Sequence, residues 1–240
     1  MEYYAKSDTG RVRQMNEDFC FATDKPVGPL ENLFVVCDGM GGHRAGEYAS
    51  SLAVKKMITS ISGMTSMDPF EVLSNGIEEA NRAIYRQSVT EEDKAGMGTT
   101  LVAATFQDDT IFLDNVGDSR LYAQNDTEFW QVTRDHSYVE EMVRKGILDR
   151  KEARFHRDRN KITRAVGVMK DVRIDFFDLD AIRGMRFLLC SDGLSSVLFD
   201  EEIAGIIGSG MPVRSRVEEL IRQANERGGP DNITAVLIEM

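Results

Sequence analysis

Four aspartates of this 240-residue chain share one setting, the junction between an apolar run and glycine or a small polar residue. Asp38 ends the run Leu33-Phe-Val-Val-Cys and is followed by three glycines within four positions. The pattern recurs at Asp118, Asp192 and Asp231. Apolar runs of β-branched and aromatic residues bounded by glycine indicate strands. Taken alone, Asp38 would begin an ordinary Asp-Gly turn, but the repetition predicts four carboxylates at strand ends.

Carboxylates gathered at one edge of stacked sheets would stay ionised only with cations among them. Aspartate oxygens, in a chain with only three histidines and three cysteines, favour Mg²⁺ or Mn²⁺ over zinc. The sequence contains none of four common site motifs. These are the phosphate-binding loop G-x-x-x-x-G-K-[ST], the H-E-x-x-H helix of zinc proteases, the G-x-S-x-G nucleophile elbow and the twelve-residue calcium-binding loop. We therefore expect metal-assisted hydrolysis, in which two ions roughly 3.5 to 4 Å apart share a water that attacks phosphorus. Arg13 lies in a charged bend and is a candidate to bind a phosphate dianion, the alternative being a solvated surface arginine.

Hydrophobic periodicity predicts strands in runs and helices in pairs. The predicted strands cover residues 2–7, 19–23, 33–38, 99–106, 110–116, 119–123, 128–132, 172–179, 186–191 and 232–239. The predicted helices cover residues 46–61, 70–87, 138–145, 149–155, 200–207 and 213–226. This order predicts antiparallel sheets stacked face to face and covered by helix pairs, an α+β fold. Residues 98–132 are expected to form an antiparallel meander, and the charged segment 134–165 a surface excursion or flap.

The composition excludes several classes of protein. Twenty-nine basic and 40 acidic residues give a formal charge of −11 without any Lys or Arg block, which argues against a nucleic-acid or anionic-membrane surface. Cys20, Cys37 and Cys190 are typical of buried thiols in a reducing compartment, not of a disulfide framework. Neither a signal-like N-terminus nor an apolar stretch of about 18 residues is present. We expect a cytoplasmic monomer with a single domain, residues 1–240.

Six short motifs, in order and in register, resemble the metal-dependent Ser/Thr protein phosphatases of the PP2C (PPM) family, in particular its stand-alone bacterial branch. The motifs are Arg13-x-x-Asn-Glu17-Asp18, Asp38-Gly-Met-Gly-Gly-His43, Gly98-Thr-Thr100, Gly117-Asp-Ser-Arg120, Ser191-Asp-Gly193 and Asp231-Asn-Ile-Thr234. The resemblance spans nearly the whole chain. It implies a four-layer α-β-β-α sandwich with a flap at about residues 137–165 beside the cleft.

The resemblance also implies a ligand set for Mn²⁺ or Mg²⁺. By position, Asp38 would bridge two ions, and the Gly39 carbonyl would bind one of them. Asp192 and Asp231 would complete the first site. Asp118, together with Asp192, would hold a weaker third ion.

Further residues would act around these ions. Glu17 and Asp18 resemble ligands of metal-bound waters, and Arg13 would bind the substrate phosphate. In eukaryotic relatives a histidine two positions after the bridging aspartate is thought to protonate the leaving alkoxide, whereas Met40 occupies that position here. His43 is the nearest histidine, so either His43 or a metal-bound water would supply the proton.

Several polar residues are expected to have structural roles. Thr99, Thr100 and Ser119 would tie strand ends to the carboxylates. His136 and His156 are also interpreted as structural.

The resemblance implies a phosphatase of protein phosphoserine and phosphothreonine, opposed to a Ser/Thr kinase partner. Two alternatives stay open at this point. One is a dedicated phosphatase of a single phosphoserine regulator, of the anti-sigma-factor-antagonist type. The other is an inactive module that binds phosphoproteins, although such proteins usually lack a metal carboxylate and all four aspartates are present here.

Overall fold

The computed structural model describes residues 1–42 and 44–240, and within them the chain forms 11 strands and seven α-helices. The strands are β1 Glu2–Asp8, β2 Asp18–Thr23, β3 Leu33–Met40, β4 Gly98–Thr99, β5 Leu101–Gln107, β6 Thr110–Val116, β7 Arg120–Gln124, β8 Phe129–Gln131, β9 Asp175–Asp180, β10 Arg186–Cys190 and β11 Ile233–Glu239. The helices are α1 Ala45–Ile61, α2 Pro69–Thr90, α3 Tyr138–Arg144, α4 Arg150–Phe155, α5 Asp192–Ser195, α6 Asp200–Ile207 and α7 Val213–Glu226.

Two antiparallel sheets pack face to face between helix pairs. The first sheet has the order β1-β11-β10-β7-β8, and the second has β2-β3-β5-β6-β9, with β4 pairing the end of β3. Phe34 and Phe187 lie buried between the sheets. Met57 of α1 packs in the apolar layer above the second sheet, and Leu220 of α7 in the layer above the first. The predicted four-layer α-β-β-α sandwich is confirmed.

The predicted meander of residues 98–132 is wrong, because its strands divide between the two sheets. Strands β5 and β6 form a hairpin in the second sheet, whereas β7 and β8 form one in the first. The chain changes sheets at Gly117, whose φ is +112° and where a Cβ would lie 2.6 Å from Thr100 Cβ. Only glycine fits such a crossing. Alternating hydrophobicity predicts that a segment is a strand but carries no information on which strand pairs with it.

The segment predicted as a flap contains the two short helices α3 and α4. Ser137 caps α3 by accepting from Glu140 N at 3.3 Å. A capping box, in which Asp149 accepts from Glu152 N at 2.7 Å, begins α4. Helix α2 extends to Thr90, three residues beyond the predicted end, and the four-residue helix α5 was not predicted. No helix in the described residues is long and apolar enough to cross a membrane.

Candidate metal centre

Asp38 lies near the end of β3, and its backbone N–H and carbonyl are both bonded to Thr99 and Thr100, at the junction of β4 and β5. Its N–H donates to Thr100 Oγ1 at 2.9 Å. Its carbonyl accepts from Thr100 N and from Thr99 Oγ1, both at 2.9 Å. Thr100 Oγ1 also lies 2.7 Å from Ser119 Oγ, next to Asp118. The two threonines and the serine therefore tie together the segments that carry two of the aspartates, as the sequence predicted.

Gly39 allows three segments to approach one another behind Asp38. Its N–H donates to Glu17 O at 3.1 Å. A Cβ at this position would lie 2.1 Å from Gly46 O and 2.5 Å from Glu17 O, so any side chain would collide with backbone. Ser50 Oγ donates to the same Glu17 carbonyl at 2.6 Å. The glycine is thus required to bring the start of α1 and the segment before β2 against the end of β3.

Asp18 connects the two sheets at the site. It is the direct partner of Asp38 in the β2–β3 register. Its Oδ2 accepts from Ser191 Oγ and from Thr234 Oγ1, each at 2.7 Å. Ser191 immediately precedes Asp192, and Thr234 lies at the start of β11. Both residues belong to the sequence motifs, but no role was predicted for their hydroxyls, which hold the ends of β10 and β11 beside β2.

Arg13 lies at the rim of the site with its side chain about half exposed. Its Nη2 donates to Asp231 Oδ2 at 2.8 Å, and its Nη1 is 3.8 Å from Glu17 Oε2. Asn232 anchors the same loop, because its Oδ1 accepts from Glu17 N at 2.8 Å and its Nδ2 donates to Met15 O at 2.9 Å. Residues from the two ends of the chain therefore form one wall of the site.

The carboxylates raise one another's pKa. Burial is the largest cause, and it raises the pKa of Asp18 to about 7 although two hydroxyls donate to this side chain. Burial also raises the pKa of Asp118 and Asp192. The pKa of Asp38 is raised well above its usual range by burial and then by the charges of Asp18, Asp192, Asp118 and Asp231. The charges of the other four carboxylates therefore all act on Asp38.

The donor chemistry of this cluster fits a hard divalent cation. Every candidate donor is oxygen, and Asp18 Oδ1 and Glu17 Oε1 are buried with no hydrogen-bond partner in the described residues. No three carboxylate, imidazole or thiol groups of residues 1–42 and 44–240 are already spaced to enclose one ion. The Asp231 carboxylate is paired with Arg13. The site thus offers the charge and oxygen atoms of a cation centre without a preformed cage. His43, the candidate proton donor, lies outside the described residues.

A cavity of about 460 Å³ extends from the aspartates beneath the segment predicted as a flap. Asp118 and Asp192 line its inner end. Val139 of α3, Phe155 of α4 and Phe199 before α6 contribute apolar surface. Two of the clustered aspartates and residues of the flap segment therefore line one cavity.

Residues 9–238 match the family described as protein phosphatase 2C. The chain belongs to this family. It is 37% identical over 243 residues to the serine/threonine phosphatase stp of Listeria monocytogenes, covering 98% of this chain and 94% of the relative. The crystal structure of the serine/threonine phosphatase Stp1 from Staphylococcus aureus superposes with a TM-score of 0.92 at 32% identity, covering 100% of this chain and 94% of that one.

One solved family member contains metal. The catalytic domain of the serine threonine protein phosphatase PstP, in complex with two manganese ions, is 36% identical to this chain with a TM-score of 0.87. The alignment covers 99% of this chain and 97% of the PstP chain. The phosphatase 2C fold and family that the sequence motifs predicted are confirmed.

Proposed function

We propose that this member of the phosphatase 2C family hydrolyses phosphoserine and phosphothreonine in proteins with the aid of Mn²⁺ or Mg²⁺. The observation that carries the proposal is the cluster of strand-end aspartates from both sheets, in which burial and then the neighbouring charges raise the pKa of Asp38. Its support is that relatives aligned along almost the whole chain are serine/threonine phosphatases. The intact set of carboxylates weighs against an inactive phosphoprotein-binding module.

We propose the following ligand set for the ions. Asp38 would bridge two of them, with the Gly39 carbonyl on one and with Asp192 and Asp231 on the other. Asp118 and Asp192 would hold a weaker third ion. Bound Mn²⁺ or Mg²⁺ supplies an activated water for in-line attack and stabilises charge on the phosphoryl oxygens.

The chain's own side chains would bind and orient the substrate. The half-exposed Arg13 guanidinium, already directed into the cluster, would donate to the phosphate oxygens. The unpartnered oxygens of Glu17 and Asp18 would accept hydrogen bonds from waters of the site. Ser191 and Thr234 hold Asp18 in place for this role. Either His43 or a metal-bound water would protonate the departing serine or threonine oxygen.

Asp38→Asn tests the proposal because it removes one charge from the centre of the cluster with little change in volume. Wild type should hydrolyse a phosphothreonine peptide with Mn²⁺ and lose this activity with a chelator, and Asp38→Asn should be inactive while keeping the wild-type circular dichroism spectrum. Asp178→Asn is the matched control, because it makes the same chemical change at an exposed position of β9. Near-normal turnover by Asp38→Asn with Mn²⁺ would refute the mechanism.

We further propose that the protein is a cytoplasmic monomer that opposes a Ser/Thr kinase. The free state of Cys20, Cys37 and Cys190, of which two are buried, supports a reducing compartment. Phosphosite profiling after gene deletion distinguishes the range of substrates. Many phosphothreonine sites should rise together, whereas a rise at a single phosphoserine would identify a dedicated phosphatase of one regulator.

A further inference from the structure

His136 contacts the loop that carries Asp118 from two sides. It is buried, with 6% of its surface exposed, and lies just before the cap of α3. Its backbone N–H donates to Gly117 O at 3.0 Å, and its Nδ1 accepts from Gly117 N–H at 2.9 Å. Both backbone polar groups of the residue before Asp118 are thus bonded to a single histidine. The φ of Gly117 is +112°, so this loop has a conformation that needs such support.

The protonation of the imidazole follows from these partners. A backbone amide can only donate, so Nδ1 carries no proton and the neutral ring has its proton on Nε2. Nε2 lies 3.1 Å from Asp175 Oδ2, which accepts that proton, and 2.9 Å from Arg164 Nη1, a donor that is bonded to the same carboxylate. Burial lowers the pKa of His136, which favours the neutral ring. Arg164 donates to Asp175 Oδ1 at 2.6 Å and so helps to fix the carboxylate that orients the imidazole.

The same histidine joins the base of the flap to the Asp118 loop. Its carbonyl accepts from Thr163 N at 2.7 Å, on the returning end of the flap segment. Ser137 forms an isolated antiparallel bridge with Ile162. The Asp118 loop and both ends of the flap therefore meet at His136.

We propose that His136 is a positioning residue that fixes the Gly117–Asp118 loop through its Nδ1 and thereby sets the affinity of the cation site formed by Asp118 and Asp192. This inference rests on the proposed function, because it assumes that Asp118 binds an ion. Partners that orient a metal ligand are typically worth 10- to 100-fold in metal affinity. The tighter ions near Asp38 and Asp231 do not depend on this contact, since His136 has no hydrogen bond to either residue in the described structure.

Two amide variants test the contacts of Nδ1 and of Nε2 separately. In His136→Asn the side-chain amide oxygen can take the position of Nδ1 and still accept from Gly117 N–H. In His136→Gln the amide reaches the level of Nε2, so the link to Asp175 is retained and the link to Gly117 is lost. The backbone bond to Gly117 O is present in both.

Manganese binding to the full-length apoprotein, followed by calorimetry and by electron paramagnetic resonance, provides the readout. His136→Gln should weaken the lowest-affinity class of Mn²⁺ at least about 10-fold, and His136→Asn should stay within about 3-fold of wild type. The tighter class should be unchanged in both variants. Equal losses in the two variants, or wild-type binding by His136→Gln, would overturn the proposal. A wild-type protein that binds no Mn²⁺ would instead overturn the proposed function itself.

Asp175→Asn gives a second test if His136→Gln does not fold. Asp175 is partly exposed, and the change replaces the charged carboxylate that holds the imidazole and Arg164 by a neutral amide, which is a weaker acceptor. The weakest Mn²⁺ class should again lose affinity, by about 3- to 10-fold. Unchanged Mn²⁺ binding in Asp175→Asn would also count against the proposal.

Discussion

Asp114 is a buried carboxylic acid without a partner, and its replacement should change how the stability of the protein depends on pH. The residue lies in the middle of β6, between Ala103 of β5 and Phe176 of β9. It has no exposed surface, and neither carboxylate oxygen has a hydrogen-bond partner in the described residues. Burial alone raises its pKa to about 8. At neutral pH the folded protein therefore keeps this side chain protonated.

The magnitude follows from the difference between the folded and unfolded states. The pKa of Asp114 is about 8 when folded against a model value of 3.8. Each unit corresponds to about 1.4 kcal/mol, so ionising the unfolded chain lowers stability by about 4 kcal/mol between pH 4 and pH 7. Because the pKa of Asp114 is raised in the folded state, its contribution to the free energy of unfolding is fully present below about pH 4. The contribution decreases as the pH rises to about 8 and does not change further above that pH. This loss is a large fraction of the 5 to 15 kcal/mol typical of a domain.

Asp114→Asn removes the titration and keeps the shape of the protonated acid. The amide adds one more unpaired polar hydrogen to the buried position and costs about 1 to 3 kcal/mol at every pH, so the variant should be less stable than wild type at pH 4 and more stable at pH 8. Urea unfolding, followed through the fluorescence of Trp130, the single tryptophan, measures both free energies. Asp178→Asn, the same change at an exposed position of the neighbouring strand, should leave the pH dependence unaltered. Parallel stability curves for wild type and Asp114→Asn from pH 4 to pH 8 would refute the reasoning.

Three further variants test the site. Arg13→Ala should raise KM for a phosphopeptide about 10- to 100-fold with kcat little changed, because a charge-assisted contact to phosphate is lost. The Mn²⁺ concentration for half-maximal activity should not increase, since the variant removes a cationic side chain beside Asp231. A fall in kcat alone would contradict this role of Arg13. Gly39→Ala should unfold the protein or lower its free energy of unfolding by several kcal/mol, because the new Cβ would collide with backbone. Gly205→Ala, at an open helical position, should raise the free energy of unfolding by about 0.5 to 1 kcal/mol, measured by thermal or urea unfolding. Equal effects of the two substitutions would show that glycine is not sterically required at position 39. If His43 protonates the leaving group, His43→Gln should lower kcat for a phosphothreonine substrate about 100-fold. The same variant should have little effect on kcat for p-nitrophenyl phosphate, because that leaving group needs no proton. Equal effects on both substrates would exclude this role of His43.

Local patterns were sufficient to select the candidate residues of the site. A strand that ends in aspartate and glycine is a local signal, so Asp38 and Asp192 could be recognised from a few neighbours each. The helices were predictable for the same reason, since Asp68 caps α2 by accepting from Phe70 N and Pro69 occupies its first turn. The boundaries of most elements agree with the sequence prediction to within one to three residues.

Strand pairing was not predictable because it depends on contacts between distant segments. The glycine at 117 looked like any hairpin turn, yet it sends β6 and β7 into different sheets. Asp114 shows the same difficulty. Its position in a strand was evident, but the second apolar layer that buries it exists only once α1 and α2 cover the sheet.

The contacts that hold the candidate site residues in place depend most strongly on the complete topology. Asn232 bonds to Met15 and Glu17, more than 210 positions away in sequence, and Thr234 bonds to Asp18. These contacts require β11 to lie between β1 and β10, in the interior of the first sheet. Because β11 is the last strand of the chain, Arg13 and Asp231 cannot meet until the whole sandwich has closed. The site is therefore a property of the complete fold, although the carboxylates that compose it are recognisable from short sequence motifs.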